Sequence, residues 1–251
     1  KAHSDALRTH LYAEIANSGP MPFARYMQLA LYAPGLGYYS AGAHKFGAAG
    51  DFVTAPEISP LFSRCVAQQC QQVLHDLQDG DILELGAGSG VMALTILQDL
   101  AQRNQLPQHY YILEVSADLR DRQQQLFQSQ APELLPTVKW LERLPSEKFT
   151  GIILGNEVLD AMAVHKFKQH DGLKEYYVTV ENEQFSWLLD KPSVPELIKQ
   201  VDDLQIDFSE NYESEINLLL TPWLSSLADI LKQGVILLID YGFPRREYYH
   251  P

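Results

Sequence analysis

The stretch DILELGAGSG, Asp81 to Gly90, decides the fold. Its first half, Asp81–Leu85, is a short apolar run of strand length. Its second half sets glycine at Gly86, Gly88 and Gly90. From Val91 to about Arg103, apolar residues then recur at helical spacing. Strand, glycine turn and helix in that order open a strand–helix–strand unit.

The same rhythm continues downstream. His109–Val115 (HYYILEV) predicts a second strand, and Ser116 caps a helix running to about Gln130. Val138–Leu141 predicts a third strand and Gly151–Asn156 (GIILGN) a fourth. Val235–Asp240 (VILLID) predicts a fifth, after a helix that Thr221-Pro222 opens and Gly234 closes. Strands alternating with helices predict an α/β fold, with a parallel sheet covered on both faces.

Two regions depart from this rhythm. About eighty residues separate the fourth and fifth strands, far more than a crossover needs. Within them His165–Gln169 and Glu175–Val180 flank Asp171-Gly172, a hairpin signal, and Gln184–Leu189 adds a third strand. We therefore expect an inserted antiparallel element over about 157–233, followed by helices. Ahead of the sheet, residues 4–18 and 22–33 predict two amphipathic helices, with Gly19 ending the first and Pro22 in the first turn of the second. A turn-rich stretch leads to GAAGDFVTAPEISPLF, Gly47 to Phe62, where Ser59-Pro60 opens a helix to about Leu77. The expected division is a helical extension with a covering loop over 1–78 and a Rossmann-like core over 79–251.

Composition excludes several functions. The chain has 251 residues, is 46% hydrophobic and carries a formal charge of −13. That charge disfavours nonspecific binding to nucleic acid or an anionic membrane, which needs a basic face. The longest apolar run, Val235–Ile239, is strand-sized, so no membrane insertion is expected. Cys65 and Cys70 lie five apart in a helical pattern and do not make a disulfide framework. His3, His10, His44, His165 and His170 lack metal-ligand spacing, so no metal is expected.

The glycine turn points to a bound cofactor. Glycines let backbone approach a ligand, and the helix N-terminus offers free N–H groups. A dinucleotide site sets its third small residue where Val91 stands. Glu84, two residues before Gly86, favours the cationic end of S-adenosylmethionine and would repel a pyrophosphate. Glu114, thirty residues on, ends the second strand and suits the ribose hydroxyls, or else caps the helix begun by Ser116. Asn156-Glu157-Val158-Leu159-Asp160 ends the fourth strand, where open parallel sheets bind ligands. If a helical turn starts there, Glu157 and Asp160 share a face and orient a guanidinium acceptor; otherwise Asn156 or Asp160 is a cap.

PGLGYY (Pro34–Tyr39), GDFVTAPEIS (Gly50–Ser59), ELGAGSG, NEVLD and Asp240-Tyr241-Gly242 together resemble the MidA-like family of S-adenosylmethionine-dependent methyltransferases. That family includes the mitochondrial arginine methyltransferase needed for respiratory complex I assembly. The resemblance implies a class I methyltransferase fold and S-adenosyl-L-methionine as cofactor. It places Glu84, Gly86, Gly88 and Glu114 in the cofactor site, with Trp140 and Leu141 at the adenine wall; Asn156, at the end of the fourth strand, is a further cofactor candidate. The resemblance sets Thr54, Glu57 and Ser59 on a loop over the cofactor, while Glu157 and Asp160, read from their place at the strand end, stand as the catalytic candidates. It implies a protein acceptor, such as a complex I subunit, in bacterial cytoplasm or mitochondrial matrix. A class I sheet has seven strands and five are legible, so the C-terminal end reads as truncated. The edge this leaves beside the fifth strand predicts lower stability or a homodimer.

Overall fold

The computed structural model describes residues 2–39 and 53–250. Five parallel strands form its central sheet: Asp81–Leu85, Tyr110–Leu113, Val138–Leu141, Phe149–Asn156 and Leu231–Ile239. Taken as first to fifth in chain order, they lie side by side as fifth, fourth, first, second, third. Alternation decides which face each residue enters. Ile82, Ile112, Ile152 and Leu154 join one core, with Ala67, Cys70 and Leu74 of the helix Pro60–Leu77 and Ile96, Leu97 and Leu100 of the helix Val91–Gln102. Leu83, Leu85 and Ile153 face the opposite core, with Leu227 of the helix Leu220–Ile230. Each Ile or Leu among them, removed from water, contributes about 1.5–3 kcal/mol.

Local chemistry sets the helix starts. The Ser59 hydroxyl accepts from the Leu61 N–H at 3.2 Å, and the Ser116 hydroxyl from the Leu119 N–H at 3.4 Å. Pro60 then occupies the first helical position, where no N–H is missed. Two expectations need correction. Pro22 is not inside the second helix: it pairs with Tyr177 and stands as the cap before Phe23–Tyr32. Gly234 does not end a helix, because it lies within the fifth strand opposite Gly151. A Cβ on Gly234 would fall 1.7 Å from the Gly151 carbonyl oxygen, and one on Gly151 would fall 1.9 Å from that of Asp81. These glycines let three neighbouring strands close up at the start of the sheet.

The chain divides into two compact units. The parallel sheet belongs to Gly42–Asp160 with Trp223–Asp240. The other unit gathers Lys1–Ala41, Ala161–Pro222 and Tyr241–Pro251. The boundary thus falls inside the N-terminal stretch: the first two helices fold with the insertion, while the helix Pro60–Leu77 packs on the parallel sheet.

The insertion is an antiparallel sheet. Its strands His165–Gln169, Leu173–Glu181 and Gln184–Asp190 are the hairpin and third strand expected from sequence. Asp171 and Gly172, at φ +48° and +90°, make the tight turn. Two further strands join from afar. Glu213–Ile216 pairs with His165–Lys168, and Met21–Pro22 pairs with Tyr177–Val178. Leu11, Ile15 and Leu29 of the two N-terminal helices pack with Val178. Among the described residues, no helix is long and apolar enough to cross a membrane.

Candidate cofactor and acceptor site

All the residues described next lie in the parallel-sheet unit. At the end of the first strand the backbone enters the left-handed region at Gly86, Gly88 and Gly90, with φ of +64°, +54° and +84°. Side chains are strained at such angles. Gly90 caps the helix Val91–Gln102 without a side-chain bond, so the first helical N–H groups meet no side-chain acceptor there. A Cβ on Gly86 would meet only Val158, at 3.7 Å.

Glu84 stands two residues before this turn, on the face covered by Cys70 and Tyr110, and is 1% exposed. The Tyr110 hydroxyl donates to it at 2.8 Å. Burial pushes its carboxyl up to about 7; the Tyr110 bond opposes that rise and nearby Glu114 adds to it. The buried Cys70 thiol, facing Glu84, is pushed up to about 12, chiefly by burial.

Glu114 follows the second strand and is also buried. It accepts from the Ser116 N–H at 2.9 Å, so the capping alternative is partly realised. Burial raises its pKa against the pull of that bond, of the Gln123 side chain and of Arg120. Gln123 is a residue that sequence reasoning missed. Its Nε2 donates to the Gly88 carbonyl at 2.9 Å, and its Oε1 accepts from Trp140 Nε1 at 2.8 Å. Trp140 and Leu141 end the third strand, and the Leu141 carbonyl accepts the Glu114 N–H at 3.0 Å. The glycine turn, Glu114 and Trp140 are therefore brought together. Gln123 sits in a run of three glutamines with nothing local to mark it.

No helix starts after Asn156, contrary to the expectation that Glu157 and Asp160 share a helical face. Glu157 sits at φ +51°, and its N–H donates to Ile239 of the fifth strand at 2.8 Å. The Asp240 carboxylate accepts from the Leu159 and Asp160 N–H groups at 2.8 and 3.3 Å. Those N–H groups are held by a neighbouring strand end, and the segment stays a turn. Burial raises the Glu157 carboxyl, and Asp160 and Asp240 raise it further; the Asn156 side chain and the Ala55 N–H donate to it and oppose the rise. Val158 packs beside both Gly86 and Gly155. The strand-end carboxylates and the glycine turn thus share a neighbourhood.

The Ala55–Glu157 bond also ties in the TAPEIS loop. Thr54 caps the short helix Ala55–Ile58 through its carbonyl, and its side chain makes no capping bond. Pro56 is buried, and Glu57 Oε2 is buried without a hydrogen-bond partner among the described residues. Ser59 is committed to capping the next helix. The first part of this loop, Gly47 to Phe52, lies outside the described residues. Among the described residues, no group of His, Cys, Asp and Glu could hold a metal ion.

The chain is similar to several known proteins. The Methyltransf_28 family model, described as an S-adenosyl-L-methionine-dependent methyltransferase, matches residues 65–251. A Burkholderia thailandensis structure bound to S-adenosyl-homocysteine superposes with TM-score 0.92 at 39% identity, covering 99% of this chain and 65% of that one. The mitochondrial protein arginine methyltransferase NDUFAF7 homologue of Caenorhabditis elegans is 30% identical over 69% of this chain and 46% of its own length. That of Drosophila melanogaster is 31% identical over 66% and 43%. The chain spans just under half the length of these two relatives.

Proposed function

Because the chain belongs to the MidA-like family of S-adenosyl-L-methionine-dependent methyltransferases, we propose that it methylates protein arginine, with a respiratory complex I subunit as acceptor. The observation that supports this best is the joining of two features through Val158: a glycine turn, and a turn bearing Glu157 and Asp160 with Asp240 beside them. The site residues fit the cofactor. Glu84, pushed up to about 7 by burial, suits a sulfonium cation and not a pyrophosphate. Glu114 faces the ribose hydroxyls, Trp140 and Leu141 wall the adenine, and Asn156 closes the strand end. When bound, the cofactor supplies an electrophilic methyl group, and the protein's task is positioning and exclusion of water.

Thr54, Glu57 and Ser59 belong to the cover in this reading. The orphaned Glu57 oxygen awaits a donor from the cofactor's amino-acid end, and Ser59 anchors the loop. Asp160 and Glu157 orient the guanidinium by charge-assisted hydrogen bonds. Glu157 has a second duty, since Ala55 and Asn156 already donate to it. The protein works in bacterial cytoplasm or, in eukaryotes, the mitochondrial matrix.

The test is transfer of label from S-adenosylmethionine to isolated complex I subunits. Label is expected on arginine, slowed about 100-fold in Asp160→Ala and Glu157→Ala. Label on another residue type overturns the arginine reading, and unimpaired transfer by both variants rejects the pair. Rate should rise with pH through the raised Glu157 pKa, because the ionised carboxylate is the acceptor. Calorimetry should give heat with S-adenosylmethionine and none with NAD. A second reading, a cofactor-bound docking factor with little catalysis, is favoured by the outer strand Gln184–Asp190, where Trp187 is 52% exposed. Cofactor binding and subunit capture without label transfer would select it.

A further inference from the structure

We propose that Gln123 is the positioning residue of the cofactor site, one buried amide that sets the glycine turn, the ribose acid and the adenine wall at once. The proposal rests on the reading above that Gly86–Gly90, Glu114 and Trp140 hold the cofactor.

Gln123 is 0% exposed in the helix Ala117–Gln130. A glutamine amide has two N–H donors and one carbonyl acceptor. Trp140 Nε1 can only donate, so the oxygen must face the indole, and the 2.8 Å contact is to Oε1. The nitrogen is thereby turned to the other side, where it donates to the Gly88 carbonyl at 2.9 Å. The side chain also bonds the Glu114 carboxylate and holds its pKa down. All three kinds of demand are met, and no other orientation of the amide meets them.

Shape adds a further constraint. A Cβ on Gly90 would lie 3.0 Å from Gln123 Cγ, so the glutamine stem packs against the last glycine of the turn. Phe127, one helical turn on, meets the Trp140 ring edge-on with centroids 6.3 Å apart and fixes the indole. The glycine turn follows the first strand, Glu114 follows the second, and Trp140 lies near the end of the third. The sheet already sets the strand ends side by side, through the Gly86 N–H to Leu113 and the Glu114 N–H to Leu141, and the amide adds a side-chain link from Gly88 to Trp140 across them. Gln123 itself is fully buried and acts through these groups, not by contact with the reacting atoms.

The experiment compares Gln123→Met with Glu114→Ala and the parent chain, reading S-adenosylmethionine affinity by calorimetry, steady-state kinetics and thermal melting. Methionine keeps the volume and loses all three bonds. We expect Gln123→Met to weaken binding at least ~10-fold, as loss of hydrogen bonds to charged and backbone groups implies. The KM for the cofactor should rise while kcat stays within about twofold, the pattern of lost ground-state binding. The Trp140 indole N–H resonance should shift, and the parent's cofactor-induced change in it should be lost. A merely structural glutamine would lower the melting temperature and leave the KM of the folded fraction unchanged, and that result overturns the proposal. Glu114→Ala separates the two failures. If it weakens binding and Gln123→Met does not, the positioning role fails alone; if neither weakens binding, the cofactor-site reading fails and takes this inference with it. Should Gln123→Met not fold, Gln123→Glu decides. It keeps an acceptor for Trp140 but sets a second charge beside Glu114, so binding should be weak at pH 8 and recover on acidification. Affinity independent of pH and equal to the parent's overturns the proposal.

Discussion

Glu84 and Glu175 are both buried carboxylates, one in each unit, and they are driven in opposite directions. Glu84 is 1% exposed in the parallel sheet, with one hydroxyl donor and a second carboxylate nearby, and burial lifts it to about 7. Glu175 is 0% exposed in the antiparallel insertion. Burial would raise it too, but His165 Nδ1 at 2.7 Å and the Ser193 N–H at 2.5 Å outweigh that, and its pKa is lowered. Burial alone therefore does not decide the state of a carboxylate; the donors around it do. The insertion satisfies its acid as a structural pair. The parallel sheet leaves its acid with a single hydroxyl donor beside the glycine turn.

The sharpest way to break this comparison is to remove the paired acid. Glu175→Ala strips the partner from His165 and the Ser193 N–H and should destabilise the insertion by about 3–5 kcal/mol, read by urea unfolding. A loss under about 1 kcal/mol would mean the pair is not structural. Next in size is pH. Glu84 has a folded pKa of about 7 against the ordinary carboxyl value of 4.5, so the folded state takes up a proton that the unfolded chain gives away. Its contribution is fully present below about pH 4.5 and is lost as pH rises through about 7, on the order of 3 kcal/mol in all. Glu175 has the reverse sign: its contribution is present above pH 4.5 and fades as pH falls below that. Melting of Glu84→Gln should therefore be flatter than the parent between pH 4.5 and 7, while Glu175→Gln should flatten the acid limb. A smaller test falls on the loop: Ser59→Ala removes the cap on Leu61 and should cost about 1 kcal/mol. If cofactor affinity falls as well, the cap steadies the covering loop.

What was legible in sequence was local. The five core strands, the Ser59 and Ser116 caps and the Asp171-Gly172 hairpin each write their signal within a few residues. What was missed depends on distant partners. Gly234 resembled a helix stop because glycine is common there, yet it is required by the Gly151 carbonyl on another strand. The Glu157 turn resembled a helix start, and Asp240, about eighty residues on, diverts its N–H groups. Gln123 looked like any surface glutamine until Trp140 and Gly88 closed around it. At the site, the glycine turn and Glu114 could be read from spacing, while the amide joining them could not.

The discontinuous insertion unit also has a consequence in time. The Tyr12 hydroxyl bonds the carbonyl of Glu183, 171 residues away in sequence, and Met21 pairs with Val178. At a synthesis rate of about 5–20 residues per second, the N-terminal helices wait roughly 10–30 seconds for their sheet to leave the ribosome. During that interval Leu11, Ile15 and Leu29 have no partner strand, and the parallel core is being made in between. The nascent chain thus carries these apolar helix faces without their partner strand while the parallel sheet is still emerging, which leaves this segment open to association until the insertion is made.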